Sequence, residues 1–83
     1  MHELSIATGI VEVAVEEGER YGGRVEVVHL KLGALSGVVR EALEFSWDLA
    51  CQETPLAGAR LEIEAAAGSE LQVTALEIAD GNP

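Results

Sequence analysis

Two adjacent glycines, Gly22 and Gly23, split the first third of this chain into segments whose apolar residues repeat with different periods. Before the pair, Leu4, Ala7, Ile10, Val11, Ala14 and Val15 recur at three- and four-residue intervals, and Glu12, Glu16, Glu17 and Glu19 fall mainly elsewhere. That spacing predicts an amphipathic helix from Glu3 to about Arg20. After the pair, Arg24 to Leu32 is rich in β-branched residues. It predicts a strand with Val28, Leu30 and Leu32 on one face and Val27, His29 and Lys31 on the other. Residues without Cβ make poor helix members and good turn formers, so the switch must happen at the glycines.

The rest of the chain repeats this grammar. Gly33, Ser36 and Gly37 interrupt the strand pattern, and Val39, Ala42, Leu43, Trp47 and Ala50 then form a second helical stripe ending at Cys51. Phe45 and Trp47 are expected to anchor the core. Thr54-Pro55 and Gly58 mark the exit from this helix, because proline disfavours helical geometry in the residue before it. Ala59 to Ala65 alternates Leu61 and Ile63 against Arg60, Glu62 and Glu64 as a second strand.

Residues 65–69 form a short link, and Glu70 to Ile78 reads as a third strand. Its apolar residues change phase between Val73 and Leu76, which predicts a bulge near Thr74-Ala75. Asp80 to Pro83 are expected to fray. The implied architecture is α+β: a two-layer sandwich of a three-stranded sheet with two helices on one face, in the order helix, strand, helix, strand, strand. A parallel crossover through the second helix is allowed, and an antiparallel hairpin of the last two strands is expected. Residues 1–83 are read as one domain.

Composition narrows the function. Fifteen acidic residues against five basic ones give a formal net charge of -10, which argues against nucleic acid and anionic membrane surfaces as partners. A single cysteine, Cys51, excludes an internal disulfide and a structural zinc site built from several thiolates of this chain. It reads as a small helix residue. No apolar run approaches the roughly 20 residues needed to cross a bilayer, and His2 and Glu3 stand where a signal peptide favours Lys or Arg. A cytoplasmic protein starting at Met1 is expected.

No enzyme is legible. His2 and His29 have no recognisable nucleophile and orienting partner, and the glycine-rich segment Gly33 to Gly37 lacks the lysine of a phosphate-binding loop. Glu41 and Glu44 fall on the outer side of the second helix as a solvated pair. The amino terminus differs chemically. A free amine at Met1, the backbone nitrogen of His2 and its Nδ1 can close fused chelate rings in one plane, with the backbone nitrogen of Glu3 or a carboxylate as a further donor. Such a tetragonal nitrogen set suits Ni(II) or Cu(II) rather than Zn(II). A histidine at position 2 is by itself equally compatible with a plain terminal residue.

Four blocks sharpen the reading: Met1 to Ser5 (Met-His-Glu-Leu-Ser), Val28 to Val38 (Val-His-Leu-Lys-Leu-Gly-Ala-Leu-Ser-Gly-Val), Glu41 to Phe45 (Glu-Ala-Leu-Glu-Phe) and Thr54 to Ile63 (Thr-Pro-Leu-Ala-Gly-Ala-Arg-Leu-Glu-Ile). In combination they resemble the HypA/HybF family of hydrogenase-maturation nickel metallochaperones. The resemblance implies Ni(II) bound through the Met1 amine, His2 and the backbone nitrogens of His2 and Glu3, with the Glu3 side chain orienting the site. It implies as partners a maturation GTPase of the HypB type and the nickel-iron hydrogenase large subunit, with urease maturation proteins served by some relatives.

Relatives carry a zinc domain with two Cys-x-x-Cys pairs between the last two strands; here residues 65–69 replace it, so no zinc is expected in this chain. Arg40 stands where many relatives have proline. His29 reads as a surface residue or an auxiliary metal contact. The alternative to a nickel carrier is a metal-free docking module of the same family, and an uncovered sheet edge makes a homodimer a further expectation.

Overall fold

The computed structural model describes residues 2–80; the expectations that rest on the Met1 amine and on fraying at 81–83 lie outside them, while Asp80, also expected to fray, closes the last strand opposite Gly23. Helix α1 (Glu3–Tyr21) is followed by β1 (Gly23–Gly33), α2 (Arg40–Cys51), β2 (Arg60–Ala66) and β3 (Leu71–Asp80). This is the expected α+β order. Gly22 ends α1 with φ 70°, a left-handed conformation that costs glycine nothing, and its N–H returns to Glu19 O.

The sheet order is β2-β1-β3. β1 pairs parallel with β2 and antiparallel with β3, so the expected hairpin between the last two strands does not form. β1 has the longest apolar run and takes the centre, where both its edges are hydrogen-bonded. The link from β2 to β3 therefore passes over the end of β1. Three backbone bonds pin it there: Gly33 N–H to Glu70 O at 2.8 Å, Ala34 N–H to Ala66 O at 2.8 Å and Leu35 N–H to Gly68 O at 2.8 Å. A Cβ on Gly33 would run into the carbonyl oxygen of Gly68, so this approach requires glycine.

Two bulges set the apolar face. At the first, the register steps from His29 opposite Ala75 to Leu30 opposite Val73, leaving Thr74 unmatched. That is the bulge the sequence phase predicts, and it brings Val73, Leu76 and Ile78 onto the core side. The second lies in β1 between Val25 and Val27, where Glu26 is unmatched, and turns Val25 to the same side as Val28 and Leu30. Alternation from Val28 alone would have placed Val25 outside.

The helices cover this face. Ala7, Ile10, Val11 and Ala14 of α1 and Leu43, Trp47 and Cys51 of α2 close over Val25, Val28 and Leu30, with Leu56 and Ala59 from the segment after α2. Trp47 is buried and donates its indole N–H to Ala59 O at 3.0 Å, tying α2 to the start of β2. Phe45 does not join the core: it is 86% exposed. The buried stripe of α2 runs through Leu43, Trp47 and Cys51 at four-residue spacing, and position 45 lies about half a turn from it. Thr54 accepts the Leu56 N–H and donates to Cys51 O at 2.6 Å, turning the chain out of the helix as its Thr-Pro pair predicts.

Candidate functional site

The first turn of α1 is built to leave donors free. His2 is the N-cap in extended conformation (φ -94°, ψ 112°), its side chain makes no capping bond, and the imidazole is exposed. An α-helix leaves its first backbone N–H groups without intrahelical acceptors. Here the first such bond runs from Ile6 N–H to His2 O at 3.2 Å, so the backbone nitrogens of His2 and Glu3 are not used by the helix. Those two nitrogens and the imidazole are three of the donors that a planar nitrogen site needs.

The Glu3 side chain points to the second helix. Its Oε2 accepts the backbone N–H of Val39 at 3.1 Å, and this bond, with a further one to its own backbone N–H, holds the carboxyl below the usual carboxylate range. Val39 is the N-cap of α2, whose own side chain cannot cap. The carboxylate thus fastens the start of α1 to the start of α2, across 36 positions of sequence. No periodicity could have revealed this contact.

The second histidine lies elsewhere. His29 is on the open face of the sheet, half buried, with Nε2 2.6 Å from Oε2 of Glu77 and with Glu62 opposite it on β2. Thr74 Oγ1 reaches the His29 carbonyl at 3.4 Å. His29 and Glu77 form a cross-strand pair; among the described residues no group of three His, Cys, Asp or Glu side chains is arranged to hold a metal ion. Cys51 is 2% exposed in the core, and burial with the neighbouring Asp48 charge pushes its thiol up to about 11. It is a packing residue. Glu41 is exposed, and Glu44 accepts from Arg40 Nε at 3.3 Å on the same helix.

Residues 1–71 match the family model for hydrogenase/urease nickel incorporation metallochaperones, HypA. The chain belongs to the HypA/HybF family. It is 62% identical over 65 residues to hydrogenase maturation factor HypA of Roseiflexus sp. (strain RS-1), covering 77% of this chain and 53% of that protein. The corresponding HypA of Chloroflexus aurantiacus (strain ATCC 29366 / DSM 635 / J-10-fl) is 54% identical over 65 residues, covering 77% of this chain and 57% of the relative. Hydrogenase maturation factor HybF of Salmonella typhimurium is 45% identical over 65 residues, with 77% and 58% covered. The chain thus spans little more than half the length of these HypA and HybF relatives. No helix among the described residues is long and apolar enough to cross a membrane.

Proposed function

We propose that this chain is a nickel-binding accessory module of hydrogenase maturation, holding Ni(II) as cargo through the Met1 amine, the backbone nitrogens of His2 and Glu3, and the His2 imidazole. The observation that carries this reading is the first turn of α1, where the amides of positions 2 and 3 have no acceptor within the helix and the His2 imidazole makes no capping bond. A cation at a helix N-terminus faces roughly half a unit of positive charge from the helix dipole. Two deprotonated amide nitrogens would supply the negative charge that offsets it, which a purely neutral donor set could not do. Only strongly polarising ions such as Ni(II) and Cu(II) promote that deprotonation, and copper should bind the same nitrogens more tightly.

On this reading Glu3 orients the turn through Val39 and does not itself ligate by its carboxylate. A GTPase of the HypB type and the hydrogenase large subunit are the proposed partners, with urease maturation proteins as further recipients. No zinc is assigned to this chain, whose link between β2 and β3 replaces the relatives' zinc domain.

The test is calorimetric and spectroscopic titration of Ni(II) into protein with an unblocked Met1. A single tight site with a planar, nitrogen-rich absorption signature is expected, lost in His2→Ala and on adding one residue before Met1. Equal uptake by either variant overturns the assignment. Capture of the GTPase or hydrogenase subunit by a chain that takes up no nickel would favour the metal-free docking module.

A further inference from the structure

The outer side of α2 carries the chain's sole phenylalanine where no core reaches it. Phe45 is 86% exposed and Leu49, one turn later on the same row, is 55% exposed. The adjacent positions are acidic or polar: Glu41 one turn before Phe45, Asp48 beside Leu49, and Gln52 and Glu53 one turn beyond. Glu53 holds φ 60°, a left-handed conformation normally left to glycine, at the end of the helix. Arg40 is the one cation on α2, and it is tied to Glu44.

We infer that this face is a docking surface for a cationic amphipathic segment, a helix with an apolar row and lysines or arginines beside it. Aromatic and leucine anchors inside a polar rim are the pattern that concentrates binding energy at interfaces. The rim's charge selects the partner. A second copy of this chain is a poor fit, because two α2 faces brought together would oppose Glu41, Asp48 and Glu53 to one another while each molecule carries -10. Nucleic acid is disfavoured by the same charge.

The location adds meaning. Val39, whose N–H holds Glu3, is the N-cap of α2, and Phe45 stands six positions further along the helix. At 1.5 Å per residue that is about 9 Å along the axis, so a bound segment would lie close to the first turn of α1. The inference does not rest on nickel binding and survives if the amino terminus takes up no metal.

Two synthetic probes test it: a helical peptide with leucines on one face and lysines beside them, and a peptide of the same composition with the leucines scattered around the helix. The facial peptide should bind the full chain, with amide shifts confined to residues 41–53, and should weaken as salt is raised. Phe45→Ala should weaken it by about tenfold or more, as loss of a central anchor does. Asp48→Lys should weaken it while leaving the apolar row intact. Both side chains are exposed, so thermal melts of these variants should match the parent. Equal binding of the scattered peptide, or unchanged affinity in Phe45→Ala, overturns the inference. So does sedimentation showing a dimer that Phe45→Asp dissolves, since the face would then be covered by another copy.

Discussion

Trp47 joins two segments with one atom, its indole N–H on the carbonyl of Ala59. Trp47→Phe keeps most of the apolar contact and strands that buried carbonyl, a loss of about 1 to 3 kcal/mol in urea unfolding. A melt unchanged within error would mean that water replaces the indole. Cys51 gives a pH-dependent case. Its folded thiol sits at about 11, above the ordinary thiol range, so the unfolded chain loses its proton first as pH rises. The stability this group contributes is complete at neutral pH and should drain away between about pH 9 and 11, a decline that Cys51→Ala should lack. Glu3→Ala removes the acceptor for Val39 N–H, and hydrogen exchange at that amide should accelerate far more than at core amides such as Leu30. His2 was legible as a candidate from its position and from the family blocks. Glu3's partner was not, since a contact between positions 3 and 39 leaves no trace in local spacing.

Both helices and all three strands were legible at the level of elements, because apolar period and glycine punctuation are local properties. The bulge at Thr74 was legible for the same reason: the side-chain phase reverses across it. The bulge at Glu26 was hidden, as Val25, Val27 and Val28 are all apolar and offer no phase to follow. Strand order was misjudged. A short link suggests a hairpin, yet β1 can satisfy both its edges only by lying between β2 and β3. Phe45 was misplaced because an aromatic next to a buried stripe looks like core until its angle about the helix is worked out. Gly33 is the residue on which this topology turns. Gly33→Ala would drive a methyl into the carbonyl of Gly68, so a loss of at least about 1 to 3 kcal/mol is expected in thermal or urea melts. Gly37→Ala, where a side chain meets open space but φ is 79°, separates the two causes: its cost should come from backbone strain alone.

At the scale of the molecule, a charge of -10 spread over 83 residues pushes the folded chain apart. Added sodium chloride should screen that repulsion and stabilise the fold by on the order of 1 kcal/mol, roughly 4 to 8 °C in melting temperature for a domain this small. A melting temperature that falls with salt would show instead that pairs such as Arg40 with Glu44 outweigh the general repulsion. The three backbone bonds between residues 33–35 and 66–70 carry one more implication. They rivet the tether between the two outer strands to the ribbon that runs on to Val39, and Val39 grips the first turn of the opening helix. Any load hung from that tether would therefore be transmitted to the amino terminus along the rim of the protein, bypassing the packed interior.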